Sequence, residues 1–138
     1  MTPEAKLYQR IKRNLTQAIL TRIESRVNLG TPDLLVALNS KFLMVELKVV
    51  AKGLKVNLSP HQISYHVKHA TAGCPTFIVV EYHPSATAKQ PATLRLYSNH
   101  QTLDLVEHGV KLEPVASYPL TAIDWSDLAY QLTKKSGQ

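Results

Sequence analysis

Apolar positions follow two rhythms along this chain. Leu7, Ile11, Leu15 and Ala18 recur at helical spacing and mark the inward face of a first helix. Thr2 and Pro3 stand in front of it as N-cap and N1 residues. Residues 21–28 alternate loosely through Ile23 and Val27, which predicts an edge strand. Two apolar runs, 34–38 and 42–45, then flank Asn39-Ser40-Lys41, the pattern of a β-hairpin. Ser59-Pro60-His61-Gln62 reads as a capping box that opens a second helix. Ile63, Val67 and Ala70 are expected to face the core, and Gly73 to end that helix. Residues 76–82 are apolar almost throughout, as in a buried strand of the parallel part of a sheet. Beyond the Ser/Ala/Thr/Pro segment 84–91, residues 93–97 and 102–106 read as short strands around a turn at 98–101. A further strand is expected within 110–115. Asp124-Trp125-Ser126-Asp127 opens a last helix with Trp125, Leu128 and Leu132 on one face, Trp125 being expected in the core. Residues 134–138 are expected to fray. The order helix, strand, hairpin, helix, strand predicts an α/β fold around a mixed sheet.

Charges interrupt the hairpin at one end. Asp33 sits where the first strand begins, and Glu46 and Lys48 lie near the end of the second. Strand side chains alternate, so Glu46 and Lys48 share a face. Antiparallel pairing brings the start of one strand beside the end of the other, which places Asp33 near both. Charges are rarely set in such apolar strands without a partner. The plainer alternative is a strand-end cap at Asp33 and a surface ion pair between Glu46 and Lys48. The apolar context of both strands argues against it.

Composition narrows the partners. The chain has 138 residues, 44% of them hydrophobic, and a formal net charge of +6, with a pI near 9.5. This length predicts one domain, 1–138, with a real core. The basic balance favours a polyanion, either nucleic acid or an acidic membrane surface. No apolar run approaches the roughly 18 residues of a membrane span, and the N-terminus lacks the apolar core of a signal peptide. A cytoplasmic or nucleoid setting is therefore expected, without membrane attachment. Cys74 is the one cysteine, which leaves no disulfide framework and no cysteine metal cluster. His66 and His69, at i,i+3, offer a metal pair, but surface histidines are the expectation because no acid or cysteine stands at a suitable spacing.

Pro32-Asp33 followed by Glu46-Leu47-Lys48, with Gly30 ahead of the proline and a strand on each side, resembles the PD-(D/E)xK nuclease superfamily. It looks most like the small Holliday-junction-resolvase and VRR-NUC branches, including phage enzymes of this size. The resemblance covers residues 1–82 and leaves 83–138 as a C-terminal elaboration. It implies a restriction-endonuclease-like αβββαβ core with a mixed central sheet flanked by helices, here extended by C-terminal strands and a helix. It further implies a metal-dependent DNA endonuclease in which Asp33 and Glu46 hold Mg²⁺, with Mn²⁺ able to substitute. The Leu47 carbonyl is then a further ligand, and Lys48 orients the attacking water. Branched or double-stranded DNA is the implied partner, and a homodimer the implied assembly. A duplex-cutting or nicking nuclease of restriction or repair type, and a non-catalytic nucleic-acid-binding module on the same fold, remain alternatives.

Other residues carry two readings each. Glu4 falls on the inward face of the first helix at about 100° per residue. It is either an acid favoured by the helix dipole or, as the resemblance implies, a fourth catalytic group that completes the metal site. Glu24 is the second candidate for that extra carboxylate. Gln62 is explained by the capping box alone, yet in related families a glutamine here reaches the catalytic site. Arg10, Arg26, Lys52 and Lys55 are candidate phosphate contacts, Lys52 and Lys55 on a mobile basic loop; for the basic flank of the first helix a solvated face is the alternative.

Overall fold

The computed structural model describes residues 1–24 and 30–135. Six strands form one sheet in the order β1-β2-β3-β4-β5-β6. They are β1 (Ile19–Arg22), β2 (Leu34–Leu38), β3 (Lys41–Val50), β4 (Thr76–Tyr82), β5 (Thr93–Ser98) and β6 (Ala116–Pro119). β3 and β4 run parallel; the other neighbours are antiparallel. The four helices are α1 (Pro3–Asn14), α2 (Pro60–Thr71), α3 (Thr102–His108) and α4 (Trp125–Thr133).

Local chemistry accounts for most of these elements. Thr2 Oγ1 accepts from the Ala5 amide at 3.1 Å and Pro3 occupies N1, so α1 starts where predicted. Ser59 and Gln62 close a reciprocal capping box at the start of α2. Asn39 and Ser40 both take positive φ, as two-residue hairpin turns demand. They set a register in which Leu34 lies opposite Val45 and Leu38 opposite Lys41.

The sheet buries both faces. On one, Leu34, Val36, Val45, Leu47 and Val79 pack with Leu7 and Ile11 of α1 and Leu128 and Leu132 of α4; Trp125 packs half-buried at its margin. On the other, Val50, Ile78, Val80 and Tyr97 pack with Val56, Leu105 and Val110. β4 is covered on both sides, which is why it reads as a nearly continuous apolar run.

The structure departs from the sequence pattern in three places. Residues 102–106 belong to helix α3, not a strand. The alternation of Leu103 and Leu105 suggested a shared face, but Thr102 and Leu105 are buried while Leu103 is 63% exposed, a helical spacing. Residues 109–111 form a 3₁₀ turn, and β6 begins only at Ala116. The first edge strand is Ile19–Arg22, earlier than the 21–28 segment predicted, of which 25–29 lie outside the described residues. Among the described residues no helix is long and apolar enough to cross a membrane.

Candidate active site

The hairpin register extends one residue beyond Leu34, so Asp33 stands opposite Glu46. Asp33 Oδ2 accepts the Leu47 amide at 2.8 Å, and its carbonyl accepts from the Ile23 amide at 2.8 Å. The carboxyl is thereby fixed against the strand that carries Glu46 and Lys48.

Glu46 is 2% exposed. Burial pushes its carboxyl up to about 9, and a hydrogen bond with Asp33 and the Asp33 charge push the same way, while the Lys48 ammonium pulls it down. At neutral pH Glu46 therefore keeps its proton, because a buried carboxyl beside a second acid ionises at a cost. Glu46 Oε1 has no hydrogen-bond partner among the described residues. A buried orphan acceptor costs roughly 1–3 kcal/mol, so this atom is poised for a ligand. Two oxygen donors with one lone pair unspent fit a hard divalent cation.

Lys48 lies one step along the same sheet face. Its Nζ donates to Gln62 Oε1 at 3.0 Å. That same oxygen accepts the Ser59 amide at 3.0 Å, and Ser59 Oγ accepts the Gln62 amide at 3.1 Å. One oxygen of Gln62 thus both caps α2 and holds Lys48. Gly30 sets how α2 approaches. It is buried with φ +79, and a methyl group there would collide with the His61 carbonyl and come within 2.6 Å of the Gln62 amide nitrogen. Only glycine permits this backbone contact and this φ together.

Among the described residues, none of the remaining candidates is bonded to this group. Glu4 is half-buried on the first turn of α1, which packs on the sheet face opposite Glu46 and Lys48. The groups that shift Glu46 are Asp33 and Lys48. Glu24 is exposed. Arg10 is drawn to Glu81, Nε to Oε1 at 3.9 Å, and donates to the Leu120 carbonyl at 3.4 Å. Lys52 and Lys55 are exposed on the β3–α2 connection, which is tied down by a bond from the Val110 amide to the Leu54 carbonyl at 2.9 Å. Arg26 lies outside the described residues.

His66 corrects an expectation. It is fully buried rather than on the surface, with Nδ1 2.6 Å from Thr76 Oγ1. It lies one turn beyond Gln62, between Ile63 and Val67, and takes the innermost place on α2; those two and Ala70 are only half-buried. Burial, with His69 and Lys48 nearby, lowers it to about 4, so it is neutral in the fold. His69 stacks on Tyr65 with ring centroids 4.0 Å apart.

No protein-family model matches the sequence, and no curated protein matches it. Among solved structures, the chain is similar to Hjc, a Holliday junction resolvase from the archaeal hyperthermophile Archaeoglobus fulgidus. The TM-score is 0.52 at 11% sequence identity, over 93% of this chain and 96% of that one. At this identity the likeness is one of fold: a mixed six-stranded sheet flanked by helices, restriction-endonuclease-like, extending well past residue 82 into the C-terminal half.

Proposed function

We propose that this chain is a metal-dependent endonuclease that hydrolyses phosphodiester bonds in branched DNA. The observation that carries the reading is the buried Glu46 carboxyl against half-buried Asp33, with an oxygen that has no partner among the described residues, set beside an ammonium gripped by Gln62. Asp33 and Glu46 would hold Mg²⁺ or Mn²⁺, with the Leu47 carbonyl as a further ligand. When bound, the cation supplies positive charge and a water of lowered pKa at the scissile phosphate.

The chain's own groups do the rest. Asp33, locked by the Leu47 amide, presents its carboxylate in one orientation. Lys48 offers three N–H donors. Gln62 takes one, and the others orient the attacking water and meet charge building on the phosphate oxygens. Lys52 and Lys55 follow the phosphate backbone, which positions DNA without reading its sequence. Fold kinship with a Holliday junction resolvase supports a branched substrate. Two strands require two cuts, and a two-fold pair of chains provides two sites.

The test is cleavage of end-labelled four-way junction, flap, duplex and single-stranded DNA, with Mg²⁺ and with chelator. Cutting is expected only with the cation and fastest on the junction. Asp33→Ala and Glu46→Ala should each lose on the order of 10²-fold or more in rate while still binding DNA. Near wild-type cutting by either variant overturns the assignment. Tight binding by the wild-type chain with no cutting of any substrate would make it a binding module.

A further inference from the structure

The β3–α2 connection, residues 51–59, is held at both ends by backbone contacts that come from elsewhere in the fold. At its start, the Val110 amide donates to the Leu54 carbonyl at 2.9 Å. Gly109, at φ +60, lies so close that a methyl group there would collide with the Leu54 carbonyl and come within 3.3 Å of Lys55 Cα. Val56 is buried with Val110, Leu105 and Tyr97, and Leu58 and Leu112 pack against them. The 109–112 turn is itself fastened to β5: Arg95 Nη1 donates to the Val110 carbonyl at 2.9 Å, and Tyr97 Oη to the Leu112 carbonyl at 3.0 Å. At its far end the connection runs into Ser59 and Gln62, pressed by Gly30 from the other side.

We infer that the 109–112 turn is a positioning element for the candidate nuclease site. It holds the β3–α2 connection so that Lys52 and Lys55 stand at fixed places beside β3 and Gln62 meets Lys48. This assigns a task to the C-terminal half, and it rests on the nuclease reading. Gly109 and Val110 touch none of the reacting groups; they act through Leu54 and the chain that follows it.

The experiment couples amide exchange to cleavage. In the wild-type protein the Val110 amide should exchange about 100-fold or more below its intrinsic rate. Exchange near the intrinsic rate overturns the inference without any variant. Gly109→Ala should speed that exchange and lower single-turnover cleavage by about tenfold or more. In that background Lys52→Ala and Lys55→Ala should cost little further DNA affinity, although each weakens binding in the wild type. This non-additivity is what a merely structural role does not produce.

Gly73→Ala is the control. It adds a methyl group at another positive-φ glycine, at φ +76, but in open space, and should stay within about twofold of wild type in both readouts. Should Gly109→Ala fail to fold, Arg95→Met removes the side-chain donor to the Val110 carbonyl, keeps the Val110 amide as the reporter and carries the same expectations. Unchanged exchange and cleavage in a folded variant sink the proposal. A wild-type chain that cuts no DNA sinks the nuclease reading instead, and the exchange results still decide whether the connection is held.

Discussion

Glu46 occupies a place where charge is costly, and its pH behaviour follows. Its carboxyl ionises near 4.5 in the unfolded chain and at about 9 in the metal-free fold. Below 4.5 both states hold the proton and the site costs nothing. As pH rises towards 9 the unfolded state has released its proton and folding must take one up, so stability falls across that window. Glu46→Gln mimics the protonated acid. In chelator it should match wild type near pH 4 and become progressively more stable than wild type towards pH 9, read as urea midpoints. A gap that stays flat or reverses would show that the carboxyl is not held protonated. On the proposed reading a cation would displace the same proton, so cation affinity should rise with pH over this range. Lys48 lies on the same face, and its contribution is separable. Lys48→Ala should cost on the order of 10²-fold in single-turnover rate with DNA saturated by protein. Lys48→Arg should not recover it, because a planar guanidinium cannot replace a compact ammonium against Gln62. Gln62→Ala should fall between the two and wild type, since the charge remains but its fixed partner is gone. An unchanged rate in Lys48→Ala would remove the lysine from the chemistry.

At the level of elements, the site is a joint between a hairpin and a helix start. Gly30 is where they touch, and Gly30→Ala must push the His61 carbonyl away. The expected result is a folded protein whose Lys48–Gln62 contact is broken, with cleavage down to the level of Gln62→Ala and no additive loss in the double variant. Independent, additive losses would mean that Gly30 does not act through α2. The hairpin half of this joint is legible in sequence because its signals are local: two apolar runs, a short turn, and charges at fixed offsets. The helix start is legible too, since Ser59, Pro60 and Gln62 lie within one turn. What joins them is not local. Lys48 meets Gln62 only because the connection between β3 and α2 is folded back by Gly109 and Val110, far along the chain. The same distance hid His66, whose burial depends on Thr76 across the parallel crossover. α3 escaped for a different reason: Leu103 and Leu105 satisfy a strand pattern, and only packing shows which of them is inside.

Across the whole molecule the net charge of +6 favours a polyanion such as the proposed DNA substrate, but not all of it is available to one. Arg10 is tied to Glu81, and Lys41 Nζ donates to the Thr133 carbonyl at 2.6 Å. Lys6, Lys12, Arg13, Lys52 and Lys55 are exposed. Binding should therefore weaken steeply with salt, with a log–log slope set by a handful of phosphates rather than by the full charge, roughly −3 to −5. Lys52→Ala and Lys55→Ala should each flatten that slope by about one and weaken junction and duplex alike, because phosphate contacts position DNA without distinguishing its form. On the proposed reading, selectivity for a branch has to come from elsewhere, namely the spacing of two sites on a paired assembly. Cutting of a four-way junction should thus exceed cutting of a matched linear duplex even in the lysine variants that bind both more weakly, measured as single-turnover rates at saturating protein. Equal rates on junction and duplex, with the cation dependence intact, would keep the chemistry and move the reading to a duplex-cutting nuclease.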